Sequence, residues 1–71
     1  MIPSEDIDRR FAFHPAGREK GTRHQQVRDA CKEMAHELNT QLTDGREKSL
    51  AITHLEEVMM WSNAAIAREG Q

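Results

Sequence analysis

Val27, Cys31, Met34 and Leu38 recur at intervals of four, three and four residues, the repeat that keeps side chains on one face of an α-helix. Ala30, Ala35 and Leu42 widen that stripe, while Arg28, Asp29, Lys32, Glu33, His36 and Glu37 fall on the opposite face. Thr22-Arg23-His24-Gln25 has the form of a capping box, in which the Thr hydroxyl and the Gln side chain each satisfy a backbone N–H at the helix start. The pattern predicts an amphipathic helix over residues 22–42.

A second start signal comes at Asp44-Gly45-Arg46-Glu47. Asp44 is placed to cap, and both acids suit the positive end of a helix. This helix is predicted over residues 45–69, with Gly70 as its stop. The turn at residues 39–44 is short enough to enforce an antiparallel αα-hairpin. Ile52, Leu55, Met59, Ser62 and Ile66 form the seam toward the first helix. Leu50, Val58, Met60, Trp61, Ala64, Ala65 and Ala67 lie elsewhere around the circumference, and between Val58 and Ala67 only Ser62 and Asn63 are polar. A helix apolar all round is covered all round. One partner helix covers one side, so the remainder calls for further copies of the chain.

Residues 1–21 read as an extended, irregular arm. Pro3 and Pro15 discourage helix before them, Gly17 and Gly21 interrupt the stretch beyond Pro15, and charge is dense. Both phenylalanines lie here, in Phe11-Ala12-Phe13 ahead of His14-Pro15, so the arm is expected to dock on the helices. The whole is a single domain, residues 1–71. The expected fold class is all-α: an antiparallel two-helix hairpin with an extended N-terminal arm, assembled as a homo-oligomeric helical bundle.

Composition strengthens the case for assembly. Seventy-one residues with 37% hydrophobic and 4% aromatic content make a small core, which supplies roughly 3–5 kcal/mol at best in a chain of this length. Cys31 is the lone cysteine and closes no internal disulfide, and no Cys/His set has zinc-finger spacing. The net charge of −2 and pI near 6 argue against a general nucleic-acid coat. Seven of the ten Lys/Arg nevertheless lie within residues 1–32: Arg9, Arg10, Arg18, Lys20, Arg23, Arg28 and Lys32. Such a local basic region suits a compact anionic ligand. No apolar run approaches the ~20 residues that span a bilayer, and the acidic N-terminus does not resemble a signal peptide. The expected location is the cytoplasm.

Several residue sets invite a chemical reading. Glu33-x-x-His36 matches the ligand pair of di-iron bundles, and His54-x-x-Glu57 extends it, but Glu33 and His36 lie on the polar stripe. Cys31 sits on the apolar stripe, where a thiol behaves as a small hydrophobe and its thiolate is disfavoured. Glu56 and Glu57 are adjacent on a helix and splay about 100° apart, which makes them poor acid/base partners and suits solvent or a subunit contact. Trp61 with Met59-Met60 could form a ligand-stacking surface, but residues at this helical spacing are more often core or interface. No residue set reads as that of an enzyme, and no cofactor is implied. In the arm, Phe13 and His14 are planar groups able to stack on a base, and Arg28, one turn into the first helix, is able to grip phosphate. The plainer alternative is that Phe11 and Phe13 cap the hydrophobic seam and Arg28 is solvated.

The run from Gly45 to Arg68, with its core Leu55-Glu56-Glu57-x-Met59-Met60-Trp61-x-Asn63-Ala64-Ala65-Ile66-Ala67-Arg68, resembles the second helix of the hairpin domain shared by phage anti-CBASS and anti-Thoeris sponges. The resemblance extends upstream through Phe13-His14-Pro15 and Val27-Arg28-Asp29-Ala30-Cys31-Lys32. It implies a non-enzymatic protein that sequesters cyclic oligonucleotide second messengers in the host bacterial cytoplasm, as a homohexamer built as a trimer of dimers. One pocket type, between paired subunits, takes cyclic dinucleotides through an aromatic arm residue and a basic residue early in the first helix; by position these are Phe13 and Arg28. A second, at a three-fold junction, takes cyclic trinucleotides through a basic residue and a threonine near the start of the second helix. Thr53 matches the threonine. Ser49 stands one turn before it where arginine is expected, which leaves Arg46 or Lys48 as the basic partner. Phe13 also stands where the family usually has Tyr, which keeps stacking and loses a hydroxyl contact. The alternatives are a small oligomeric module that binds a protein through its acidic helix faces, and a helical-bundle metal protein.

Overall fold

The computed structural model describes residues 1–11 and 21–69. Three helices account for most of them: α1 over Ser4–Arg10, α2 over Gly21–Gln41 and α3 over Arg46–Ala67. The described residues contain no strand, and the all-helical class expected from the periodicity holds. α2 and α3 pair as the hairpin, and their bounds differ from the expected ones by no more than two residues.

The hairpin's direction is visible at its open end. Arg23, near the start of α2, donates through both terminal nitrogens to the two carboxylate oxygens of Glu69, at 2.5 and 2.6 Å. Between the helices, Ile52 and Ile66 are buried and Leu55, Met59 and Ser62 half-buried, so the expected α3 seam faces α2. Val58, Met60 and Trp61 are 53%, 60% and 65% exposed. Those values place them outside the hairpin core, as the all-round apolar pattern requires.

The start of the chain differs from expectation. Residues 4–10 are helical where an irregular arm was expected. Proline restricts the residue before it, not the residues after, and Pro3 sits at the N-cap with its carbonyl accepting from the Asp6 N–H at 3.0 Å. Glu5 and Asp6 in the first turn and Arg9 and Arg10 in the last match the helix dipole. Seven residues make a marginal helix in water, so α1 depends on its docking. Ile7 and Phe11, one turn apart, are 0% and 2% exposed and join Cys31, Ala35 and Ile52 in the core. Phe11 thus caps the hydrophobic seam.

Neither expected helix cap forms. Gln25 does not reach back to Thr22; its side chain donates to Asp29 and accepts from Arg28. At α3 the N-cap is Gly45, with no side-chain cap, because the Asp44 carboxylate is engaged by Lys48 and the terminal amine.

Candidate functional site

The buried line of α2 runs through His24, Arg28, Cys31, Ala35 and Asn39. It is rotated from the expected stripe, so that Met34 and Leu42 are 45% and 39% exposed and Val27 and Leu38 half-buried. Arg28, expected on the solvated face, is 5% exposed, and its NH2 donates to Gln25 Oε1 at 2.9 Å. Three further polar side chains are accommodated because each finds a partner. His24 Nδ1 donates to Asn63 Oδ1 across the hairpin at 2.9 Å, and Asn39 brackets the backbone of Ile2. The third, Lys48, is 4% exposed and donates from Nζ to the Asn39 carbonyl at 2.7 Å and to Asp44 Oδ1 at 2.9 Å. The Asn39 carbonyl belongs to the last turn of α2, where intrahelical donors run out; Lys48 serves as its cap.

A cleft of about 440 Å³, open to solvent, lies where the first residues of the chain cross the start of α3. It brings together three residues singled out from the sequence, Lys48, Ser49 and Thr53, with Asp6, Arg10 and Asp44. Arg46 is exposed and lies outside the lining. Ser49 and Thr53 are exposed. Arg10 was counted in the basic cluster but not as a site residue; the missing signal was the helical register of α1, which carries it over α3.

The electrostatics of the cleft are balanced. Hydrogen bonds from the terminal amine and from Lys48 hold the Asp44 carboxyl down at about 2. Asp6 accepts from Arg9 at 2.6 Å. Arg10 donates through Nε and NH2 to Glu56 Oε1 at 2.9 and 2.5 Å. Glu56, expected in solvent or at a subunit contact, is therefore an anchor for α1. Much of the basic cluster is spent on such pairs.

Arg28 lies far from this cleft: residues 28 and 39 are separated by roughly 16 Å along α2 at 1.5 Å per residue. Phe13 and His14, the two stacking candidates, fall outside the described residues. The Glu33/His36 and His54/Glu57 pairs, candidate metal ligands set against the plainer reading of solvated helix faces, do not assemble into a metal set among the described residues. His36 Nε2 donates to Asp8 at 2.9 Å and His54 sits 3.5 Å from Glu57 on its own helix; among the described residues no three His, Cys, Asp or Glu side chains gather. Cys31 is buried, and desolvation pushes its thiol up, away from thiolate chemistry. No described helix is long and apolar enough to cross a membrane.

Compared with known proteins, the chain matches the family model described as the Acb2/Tad1 hairpin domain over residues 3–67. No curated protein and no solved structure matches it.

Proposed function

We propose that this chain, which belongs to the Acb2/Tad1 hairpin-domain family of anti-CBASS and anti-Thoeris sponges, binds cyclic oligonucleotide second messengers and holds them intact. The observation that carries this reading is the extent of the family match, residues 3–67, which takes in both hairpin helices and the stretch holding Phe13 and His14. Cyclic dinucleotides are bound by Arg28 through phosphate and by Phe13 and His14 through stacking. A buried guanidinium already oriented by Gln25 supports that role, because little freedom is lost when it meets a phosphate. Cyclic trinucleotides are bound in the cleft that holds Ser49 and Thr53.

The sites lie between copies of the chain. Val58, Met60 and Trp61 support assembly, since more than half of each is exposed on a helix whose other side is already packed. The assembly is a trimer of dimers in the host bacterial cytoplasm. No step of turnover is involved, and the ligand leaves as it arrived.

Titration of the purified protein with a cyclic di- and trinucleotide panel tests this directly. Saturable binding, with the ligand recovered chemically unchanged after heat denaturation of the complex, is expected. A linearised product on chromatography, or no binding by any member of the panel, overturns the reading.

A further inference from the structure

We propose that Arg10, carried on α1, is the cation that contacts phosphate in the cleft beside Ser49 and Thr53, and that Lys48 and Arg46 are not. This rests on the sponge reading above and assigns one residue within it.

Lys48 is committed elsewhere. Its ammonium donates to the Asn39 carbonyl and to Asp44 and is almost wholly buried. Swinging it toward a ligand would strand a carbonyl in the last turn of α2, a desolvated acceptor that loses the donor capping it. Arg46 does not reach the lining. Arg10 does, and only part of its hydrogen-bonding capacity is used. Its Nε and NH2 both meet one oxygen of Glu56. A guanidinium carries five N–H donors in a rigid fork, so NH1 remains for an anion.

Glu56 fixes the plane of the fork, and a pre-oriented guanidinium loses less freedom per bond formed. The side chain is 31% exposed, reachable from the cleft yet shielded from full screening. The two acids in the lining do not repel an incoming phosphate strongly, because Asp44 is neutralised by Lys48 and the terminal amine and Asp6 by Arg9. Ser49 and Thr53 add hydroxyl donors on successive turns of one helix. The volume, about 440 Å³, falls within the ~300–1,000 Å³ of small-molecule sites. The ligand chemistry is a phosphodiester with room for an attached sugar, as in a cyclic trinucleotide.

Calorimetric titration of the intact assembly with cyclic tri-AMP and cyclic di-AMP decides it. R10A is expected to weaken cyclic tri-AMP about ten- to a hundred-fold, as loss of a charge-assisted contact does, and to leave cyclic di-AMP near wild type. E56A breaks the same α1 anchor but keeps the guanidinium, so its loss is expected to be much smaller. R10Q, which retains a hydrogen bond toward Glu56 without the charge, reports the same loss should R10A unfold. Equal losses in R10A and E56A, or a wild-type response in R10Q, overturn the assignment. Binding of cyclic di-AMP without cyclic tri-AMP also overturns it, while the sponge reading stands; binding of neither overturns the assignment, and the sponge reading falls with it only when the rest of the cyclic di- and trinucleotide panel also fails to bind.

Discussion

Asn39 holds the backbone of Ile2 from both sides: its Nδ2 donates to the Ile2 carbonyl at 2.7 Å and its Oδ1 accepts from the Ile2 N–H at 3.0 Å. A buried side-chain amide thereby imitates a strand neighbour and moors the first residues of the chain to the end of α2. The same residue's carbonyl receives Lys48, so one position ties the N-terminal segment, α2 and α3 together.

Asn39→Ala is therefore expected to destabilise the protein well beyond a surface substitution. It removes a side chain that is 3% exposed and leaves two backbone groups of the half-buried Ile2 without their partner, at a cost of about 1–3 kcal/mol. Urea unfolding at fixed protein concentration measures it. A change within about 0.5 kcal/mol, the range of ordinary surface sites, would mean that the mooring contributes nothing.

Acid should weaken the cluster around Asp44. Its carboxyl sits at about 2 in the folded protein against 3.8 ordinarily. A group whose folded value is depressed contributes stability above its unfolded value and loses it as pH falls toward the folded one. The contribution is thus present above about pH 4 and is lost between about pH 4 and pH 2. Asp44→Asn is expected to flatten the fall in urea midpoint across that window. An equally steep fall in the variant would place the acid sensitivity elsewhere.

Arg28→Ala should weaken cyclic dinucleotide binding far more than Lys32→Ala. A charge-assisted contact in a partly desolvated site contributes roughly 1.5–3 kcal/mol, and a screened surface charge about 0–1. Lys32 is half-exposed one turn further along α2 and tests whether positive charge alone suffices. Calorimetry on variants that keep the wild-type assembly mass separates the two, and equal losses would remove Arg28 from the site.

Trp61→Glu is expected to break the assembly while leaving the hairpin folded, because Trp61 is 65% exposed and outside the core. Sedimentation should show the variant's mass falling toward that of a single chain, with helical content retained. A wild-type protein that sediments as a folded monomer at micromolar concentration would overturn self-association and the inter-subunit sites with it.

The short turn between the two long helices determined their antiparallel pairing. Periodicity determined the helices themselves and the inward seam from Ile52 to Ile66, because apolar side chains at helical spacing have one way to leave water together. It also identified Val58, Met60 and Trp61 as surplus to the hairpin. Only the tertiary structure decided which polar residues are buried and what becomes of the first eleven. Hydropathy places Arg28, His24, Asn39 and Lys48 in solvent, and it is right only when they lack partners. Here Asn63 on α3, the Ile2 backbone and the Asn39 carbonyl of α2 supply partners to His24, Asn39 and Lys48 from other elements, while Arg28 meets Gln25 within its own helix. α1 is the same case at larger scale. Seven residues do not hold a helix in isolation, and the apolar floor for Ile7 and Phe11 exists only once α2 and α3 have paired.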